Sequence, residues 1–236
     1  MNTTTLEPDA NIVEERLTIA APGRAIEGVL SYRVDSDPTF SALIVGPHPL
    51  MGGNLDNNVV RALAGGLASH GALTLAFNYS GVGHSEGGPD DWQAAASQFW
   101  AMGKVDEELA WILDAAAARK ALAKLNVAPM IVVGYSFGCW VIAEMPADPD
   151  TTRWVLVSPN PNRHRFDGLS KCAIPLLVVH SDNDFASTPE QTHAWFDCLR
   201  TPKSLTMLDS AEHFFRGQEQ ALLDTVLKFL TSEQTP

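Results

Sequence analysis

Six short, almost entirely apolar runs recur along the chain and limit its fold more than any other feature. They are residues 42–45, 73–77, 130–133, 154–157, 176–179 and 205–208. Runs of this kind are typical of parallel strands that are buried on both faces. The stretches between them are long enough for helices, which we predict over residues 55–69, 91–125, 137–144, 189–199 and 219–230. Strands and helices in alternation indicate a doubly wound α/β sheet with right-handed crossovers.

Two earlier segments follow a different pattern. Residues 12–19 and 26–34 alternate apolar and polar side chains on either side of the turn Pro22-Gly23. Such alternation is typical of half-exposed antiparallel strands. We therefore predict a mostly parallel sheet of about eight strands with helices on both faces. With 236 residues and 45% hydrophobic content, the chain is expected to form a single domain over residues 1–236, with residues 1–10 as a flexible N-terminal segment.

Composition excludes several classes of function. The formal net charge is −12 and the basic residues are scattered, apart from Arg163-His164-Arg165, so we expect no nucleic acid partner. No segment resembles a signal peptide or approaches the ~18 apolar residues of a membrane span, which predicts a cytoplasmic protein without a membrane partner. Cys139, Cys172 and Cys198 are widely spaced and are expected to be free thiols, with neither a disulfide framework nor a metal site.

The apolar run 130–133 leads directly into the sequence Gly134-Tyr135-Ser136-Phe137-Gly138. A strand that turns abruptly into a helix here holds Ser136 in a strained conformation, and the flanking glycines remove the Cβ atoms that would collide. Ser136 then lies at a helix N-terminus, where free N–H groups and the helix dipole favour negative charge. An attacking alkoxide and a tetrahedral oxyanion need such surroundings. Because G-x-S-x-G also occurs in ordinary loops, the prediction depends on a base and an acid elsewhere.

Reactive side chains follow each of the six apolar runs. In chain order they are His48, then Asn78 and Tyr79, then Ser136, then Ser158 and Asn160, then His180, Asp182 and Asp184, and finally Asp209, Glu212 and His213. The carboxyl ends of parallel strands meet at one edge of a sheet, where the chemistry of such folds gathers. The order of a nucleophile, an acid and a histidine is the one expected for this topology.

Five ordered segments resemble the α/β-hydrolase superfamily, and within it a small, lidless bacterial branch of dienelactone-hydrolase-like and acyl-esterase-like proteins. They are residues 46–53 with Asp56-Asn57, residues 77–87, the Ser136 motif, residues 180–184 and residues 211–215. The resemblance covers nearly all of residues 41–230 and implies an α/β-hydrolase fold. Many relatives insert a helical lid where this chain has only the short connection 158–175, so we expect no large cap domain and an open site.

The resemblance implies a catalytic triad. Ser136 matches the nucleophile, His213 the general base, and Asp184 the acid that orients the imidazole. The family pattern His-Gly-x-x-Asp places the acid four residues after the histidine, although Ser181 replaces the glycine here. Asp182 remains the alternative acid, and the carboxylate that is not used is expected to cap a turn.

The resemblance also implies an oxyanion hole. One donor is the backbone N–H of Phe137, and the other is that of Leu50, with Met51 as the alternative. Pro49 has no N–H to donate. His48 is then expected to pin this loop rather than to carry a proton.

Seven side chains are candidates for the substrate pocket, and all are aromatic or imidazole groups. They are His48, Tyr79, His84, Tyr135, Phe166, Phe185 and Phe214. The alternative for most of them is ordinary core packing, and for His84 a surface or turn-stabilising role. Arg163-His164-Arg165 could meet an acidic substrate group, but a solvated turn is the expected state.

These observations predict a serine hydrolase that cleaves a carboxylic ester through an acyl-enzyme intermediate. The alternatives are an acyltransferase, a thioesterase or a C–C bond hydrolase with the same triad, and, outside enzymes, a binding protein on a hydrolase fold. We expect a small-molecule acyl substrate and no cofactor, with a homodimer as an open alternative.

Overall fold

The computed structural model of the chain describes residues 11–171 and 173–232. Its strands form one sheet in the order β1-β2-β4-β3-β5-β6-β7-β8. The strands are β1 (Ile12–Ala21), β2 (Arg24–Arg33), β3 (Phe40–Val45), β4 (Ala72–Phe77), β5 (Met130–Tyr135), β6 (Thr151–Val157), β7 (Leu176–Asn183) and β8 (Lys203–Glu212). β2 pairs antiparallel with β1 and β4, and the other pairs are parallel. The predicted mostly parallel eight-stranded sheet is therefore confirmed, whereas residues 1–10 and Cys172 lie outside the described residues.

Six helices lie between or after these strands within the described residues. They are α1 (Asn58–Ser69), α2 (Trp92–Met102), α3 (Glu108–Ala123), α4 (Phe137–Glu144), α5 (Pro189–Cys198) and α6 (Glu219–Thr231). The prediction of one helix over residues 91–125 is wrong, because Gly103 adopts a left-handed conformation (φ 79°) that ends α2. α1 begins later than predicted because the Asn57 side chain accepts hydrogen bonds from the N–H groups of Val59 and Val60.

Successive strand residues point to opposite faces of the sheet and fill two cores. Ala42 and Ile44 of β3 face the layer of α1 and α6, while Leu43 and Val45 face the layer that contains α3 and α4. All four are almost completely buried. Each fully buried Leu or Val side chain stabilises the fold by about 1.5–3 kcal/mol, so these layers hold the strands in register.

The parallel register brings the carboxyl ends of the central strands to one edge. Val45 lies opposite Gly134, Tyr135 opposite Val157, and Val157 opposite Val179. The described residues of the β6–β7 connection along this edge include one short 3-10 helix, Asp167–Lys171, so the prediction of no large cap domain is confirmed. Separately, none of the helices in the described ranges is both long enough and apolar enough to cross a membrane.

Candidate active site

Ser136 lies at a sharp turn between β5 and α4. Its backbone has φ 55° and ψ −113°, a left-handed conformation that costs a non-glycine residue about 1–3 kcal/mol. The Ser136 N–H donates to the Val157 carbonyl oxygen at 2.8 Å, which ties the strained residue to β6. A Cβ on Gly138 would collide with the carbonyl oxygen of Val45, and one on Gly134 would lie 2.6 Å from the carbonyl oxygen of Gly138. Glycine is therefore required on both sides of the turn.

His213 follows β8 and lies between Ser136 and Asp184. Its Nε2 is 3.1 Å from Ser136 Oγ, and its Nδ1 is 2.9 and 2.8 Å from the two carboxylate oxygens of Asp184. A carboxylate accepts hydrogen bonds, so Nδ1 carries the proton and Nε2 is left to accept from the serine hydroxyl. The Tyr135 hydroxyl donates to the His213 carbonyl oxygen at 3.1 Å and fixes the backbone of this loop.

Asp184 is a buried carboxylate in a fixed orientation. Its Oδ1 accepts from the Ala186 N–H at 2.7 Å. Burial opposes ionisation, but the hydrogen bond and charge of His213 and the Ala186 N–H outweigh it, so the pKa of Asp184 is lowered. Asp182 is exposed and accepts from the Ser210 N–H at 3.0 Å. The structure thus brings Asp184 to His213. Asp182, at the end of β7, bonds the backbone of the neighbouring strand β8 beside a register shift, so the expectation that it caps a turn is wrong.

The loop after β3 differs from the expectation of a free second oxyanion donor. The Leu50 N–H donates to His48 Nδ1 at 3.1 Å, and the Met51 N–H donates to the His48 carbonyl oxygen at 2.9 Å. Pro49 begins a 3-10 helix, Pro49–Met51, and the His48 side chain caps it. Leu50 can bind an oxyanion only by sharing or exchanging its bond to His48. Phe137, the first residue of α4, lies where backbone N–H groups have no partner within the helix.

A second buried group of imidazoles and a carboxylate lies beside this loop. We call His48, Glu108 and His164 the Glu108 cluster. The Nε2 atoms of His48 and His164 are each 3.7 Å from a carboxylate oxygen of Glu108. Within the described part of the chain, neither Nε2 has a hydrogen-bond partner. Burial opposes ionisation of Glu108, but the two imidazoles outweigh it and lower its pKa to about 2. Burial lowers the pKa of His48 despite the opposing effect of Glu108.

The Glu108 cluster packs against the residue that follows Ser136. The ring centroids of His48 and Phe137 are 4.6 Å apart, and His164 stacks on Trp140 at 4.5 Å. The expectation of a solvated turn at residues 163–165 is therefore wrong for His164. Arg163 is an exposed turn residue, as expected, and its guanidinium lies 3.9 Å from the Phe99 ring centroid.

Of the remaining pocket candidates, four are used elsewhere. Tyr79 is buried and its hydroxyl donates to the Gly46 carbonyl oxygen at 3.1 Å. The Tyr135 hydroxyl donates to the His213 carbonyl oxygen, and Phe166 packs against Trp195 with ring centroids 5.0 Å apart. The His84 side chain is exposed, and its backbone N–H donates to Glu27 at 3.1 Å. These contacts favour core packing for the aromatic groups and a turn role for His84.

Phe185 and Phe214 lie directly beside the imidazole of His213. Their ring centroids are 4.7 and 5.5 Å from that of His213. Phe185 is 65% exposed. Of the seven candidates, these two are therefore placed where a substrate held at Ser136 and His213 could touch them.

Two buried acids near the site were missed in the sequence. Glu108 is the first residue of α3, within the segment that was predicted as one long helix. The sequence feature that comes closest to indicating its role is an acidic residue in the first turn of a helix. Asp114 is fully buried; it accepts from the Ser80 N–H at 2.8 Å and pairs with Arg24 at 2.7 Å, which pins the loop after β4. The sequence of a helix does not show that one of its acidic residues is buried, so such a residue is recognised only once the packing of the helix is known.

Cys139 is not a rival nucleophile. It is fully buried, and its Sγ donates to the carbonyl oxygens of Gly134 and Val157 at 3.3 and 3.2 Å. Burial raises the pKa of the Cys139 thiol well above its ordinary value. The thiol is therefore protonated, whereas the reactive form of cysteine is the thiolate.

Comparisons with known proteins agree with this fold. A model of the alpha/beta hydrolase family matches residues 51–233. An uncharacterised protein of Rickettsia prowazekii is 27% identical over 205 residues, which cover 82% of this chain and 79% of that protein. The structure of an alpha-beta serine hydrolase homologue from Coxiella burnetii is 26% identical, with a TM-score of 0.78 over 92% of this chain and 97% of that one. A serine hydrolase without a lid from Xanthomonas campestris shares the fold, with 22% identity and a TM-score of 0.76 over 94% and 97% of the two chains.

Proposed function

Because the chain belongs to the alpha/beta hydrolase family, we propose that it is a serine hydrolase that cleaves a carboxylic ester. Ser136 is the nucleophile, His213 the general base and acid, and Asp184 the group that orients His213. One observation carries the proposal: the unbroken path of hydrogen bonds from Ser136 Oγ through both ring nitrogens of His213 to the Asp184 carboxylate. The description of the similar Coxiella burnetii protein as a serine hydrolase homologue supports the same reading.

In the acylation step, Ser136 Oγ attacks the ester carbonyl carbon and its proton passes to His213 Nε2. The imidazolium that forms is stabilised by Asp184, whose lowered pKa keeps it ionised at neutral pH. The carbonyl oxygen becomes an oxyanion, which accepts hydrogen bonds from the backbone N–H groups of Phe137 and Leu50. The Leu50 N–H is shared between the oxyanion and His48 Nδ1. One such donor typically contributes about 10²–10³-fold in rate.

The tetrahedral intermediate then collapses. The bond between the acyl carbon and the alcohol oxygen breaks, and His213 Nε2 gives its proton to the departing alcohol. In the second half, His213 removes a proton from water, which attacks the acyl carbon and releases the acid and free Ser136. The half-exposed position of Ser136 admits water as the acyl acceptor, which favours hydrolysis over transfer to another acceptor.

A fluorophosphonate probe and an ester assay test the proposal together. We expect the wild-type protein to be labelled and to hydrolyse p-nitrophenyl acetate, and Ser136→Ala to lose both activities while keeping the same circular dichroism spectrum. Ser158→Ala is a matched control, because Ser158 is a buried serine with φ 47° at the end of the neighbouring strand β6. Labelling that persists in Ser136→Ala, or a folded wild-type protein that is neither labelled nor active, would contradict the proposal.

A further inference from the structure

The position of the general acid determines where the alcohol part of an ester must lie. This inference rests on the proposed function. The proton that His213 gives up comes from Nε2, which is 3.1 Å from Ser136 Oγ. The oxygen of the leaving alcohol must therefore be within hydrogen-bond reach of Nε2 when its bond to the acyl carbon breaks. Exposed groups that border the imidazole then contact the rest of the alcohol.

Phe185 is an exposed group that borders the imidazole. It directly follows Asp184, and its ring lies 4.7 Å from the His213 ring and 5.7 Å from that of Phe214. Asp184 occupies Nδ1 of the imidazole, and the ring of the buried Tyr135 lies 5.7 Å from the imidazole. Phe185 is nevertheless 65% exposed, so much of its aromatic surface is open to a ligand.

The surroundings of Phe137, next to the nucleophile, are different. Its ring lies 4.6 Å from His48, 5.9 Å from Tyr79 and 6.0 Å from Trp111, and all three of these side chains are buried. These rings are occupied in packing against one another. The exposed aromatic surface that touches the catalytic imidazole is thus that of Phe185 and its neighbour Phe214.

We propose that Phe185, with Phe214, binds the alcohol part of the ester and gives the enzyme a preference for aryl esters over short alkyl esters. An aromatic alcohol can stack on the open face of Phe185 while its oxygen receives the proton from His213. Aromatic pairs contribute to binding beyond the area that they bury. A methyl or ethyl group is too small to make this contact.

The two halves of the reaction separate this role from a structural one. The alcohol has left before water attacks, so the acyl-enzyme formed from every acetate ester is the same species. A side chain that contacts only the alcohol changes acylation and leaves deacylation unaltered. A side chain that holds His213 in place changes both steps, because His213 acts in both.

The experiment compares phenyl acetate and ethyl acetate in the wild type and in Phe185→Ala. We expect kcat/KM for phenyl acetate to fall about 10-fold, and that for ethyl acetate to change by less than about twofold. The deacylation rate, measured after the p-nitrophenyl acetate burst, should stay the same. Phe185→Leu, which keeps an apolar side chain without the ring, should behave like Phe185→Ala on the aryl ester. Trp100→Ala is the control for removal of an exposed aromatic residue, since Trp100 is 70% exposed on α2.

Equal losses on both esters, or slower deacylation in both Phe185 variants, would overturn the proposal and make Phe185 a positioning residue for His213. That result leaves Ser136 as the nucleophile, provided that the wild type shows a burst. A wild type without any acylation would overturn the proposed function and this inference together.

Discussion

Two arrangements of imidazole and carboxylate flank Ser136, and they are built differently. In the first, His213 and Asp184 are joined by hydrogen bonds of 2.8 and 2.9 Å, and Nε2 continues to Ser136. In the second, the Glu108 cluster, both Nε2 atoms stay 3.7 Å from the carboxylate. The same chemical groups therefore form an unbroken chain of hydrogen bonds to Ser136 in the first arrangement and a more widely spaced buried cluster in the second. Hydrogen-bond geometry, rather than residue type, distinguishes His213, the proposed general base, from the histidines of the Glu108 cluster.

The largest difference is expected between alanine substitutions of one histidine from each arrangement. His213→Ala should lower kcat for p-nitrophenyl acetate by about 10⁶-fold, as for a triad histidine, because no other group accepts the serine proton. His164→Ala should cost no more than about 10-fold, since its ring packs on Trp140 and not on the reacting atoms. Steady-state kinetics of the two folded variants measure this. Comparable losses would mean that the Glu108 cluster takes part in the chemistry.

The next difference separates the two candidate acids. Asp184→Asn should lower kcat by about 10⁴-fold, because the amide no longer holds His213 in the required tautomer. Asp182→Asn is the control, two residues away, and should cost less than about threefold, since Asp182 is exposed and bonds the Ser210 N–H rather than His213. Measured kcat values in the reverse order would transfer the role of the acid to Asp182.

A third experiment examines what the Glu108 cluster contributes. Glu108→Ala should lower the free energy of unfolding by about 2–4 kcal/mol, because it leaves His48 and His164 buried without their partner. Glu108→Gln keeps the shape and should cost less. Denaturant unfolding measures both, with Glu144→Ala on the exposed end of α4 as a control expected within about 0.5 kcal/mol of wild type. A Glu108→Ala variant as stable as the wild type would remove the structural role.

The smallest expected effect is on the pH dependence of stability. Burial lowers the pKa of His48 in the Glu108 cluster and of His180 beside Asp184. Each is neutral in the fold, so its contribution is complete above the ordinary histidine pKa of 6.5 and is lost as pH falls through the lower folded value. His48 faces Glu108, His164 and Arg163. Glu108 raises the pKa of His48 against the effect of burial, whereas His164 and Arg163 lower it further.

Thermal unfolding at pH 7.5, 6 and 5 should therefore show stability declining with pH in the wild type. His48→Gln and His180→Gln should each make the loss of stability at low pH smaller. Each substitution removes one imidazole that becomes protonated in the unfolded chain but stays neutral in the folded protein. Stability that increases between pH 6 and 5 would contradict the assignment of neutral, buried imidazoles. At lower pH, Glu108 loses its own contribution between its ordinary pKa of 4.5 and about 2.

The sheet could be predicted from the sequence because each strand is indicated by a local pattern of residues. Each central parallel strand contains a short apolar run, whereas β8 at the sheet edge is longer and only partly buried, not buried on both faces as predicted. The glycines around Ser136 are required by close contacts with neighbouring backbone. The division of α2 from α3 was not predictable in the same way. Gly103 in a helical pattern is consistent with either a tolerated interior residue or a left-handed cap, and only packing decides.

The residues of the candidate site that follow the ends of strands were predictable from the sequence, whereas those that lie on helices were not. Asp184 and His213 follow β7 and β8, so the topology alone brings them near Ser136. Glu108 reaches the site because α3 packs across the sheet, and nothing in its local sequence signals that contact. The bond from Leu50 to the His48 ring likewise depends on a side-chain conformation that no pattern encodes.

The most direct test of a nucleophilic Ser136 is to trap the acyl-enzyme and locate the acyl group. Wild-type protein is mixed with p-nitrophenyl acetate, quenched in acid during the burst, digested, and mapped by peptide mass spectrometry. We expect one acetyl group on the peptide that contains residue 136, assigned to its serine, in an amount equal to the burst of p-nitrophenol. Steady turnover with no acetyl group on Ser136, or with the group on another residue, would contradict the account.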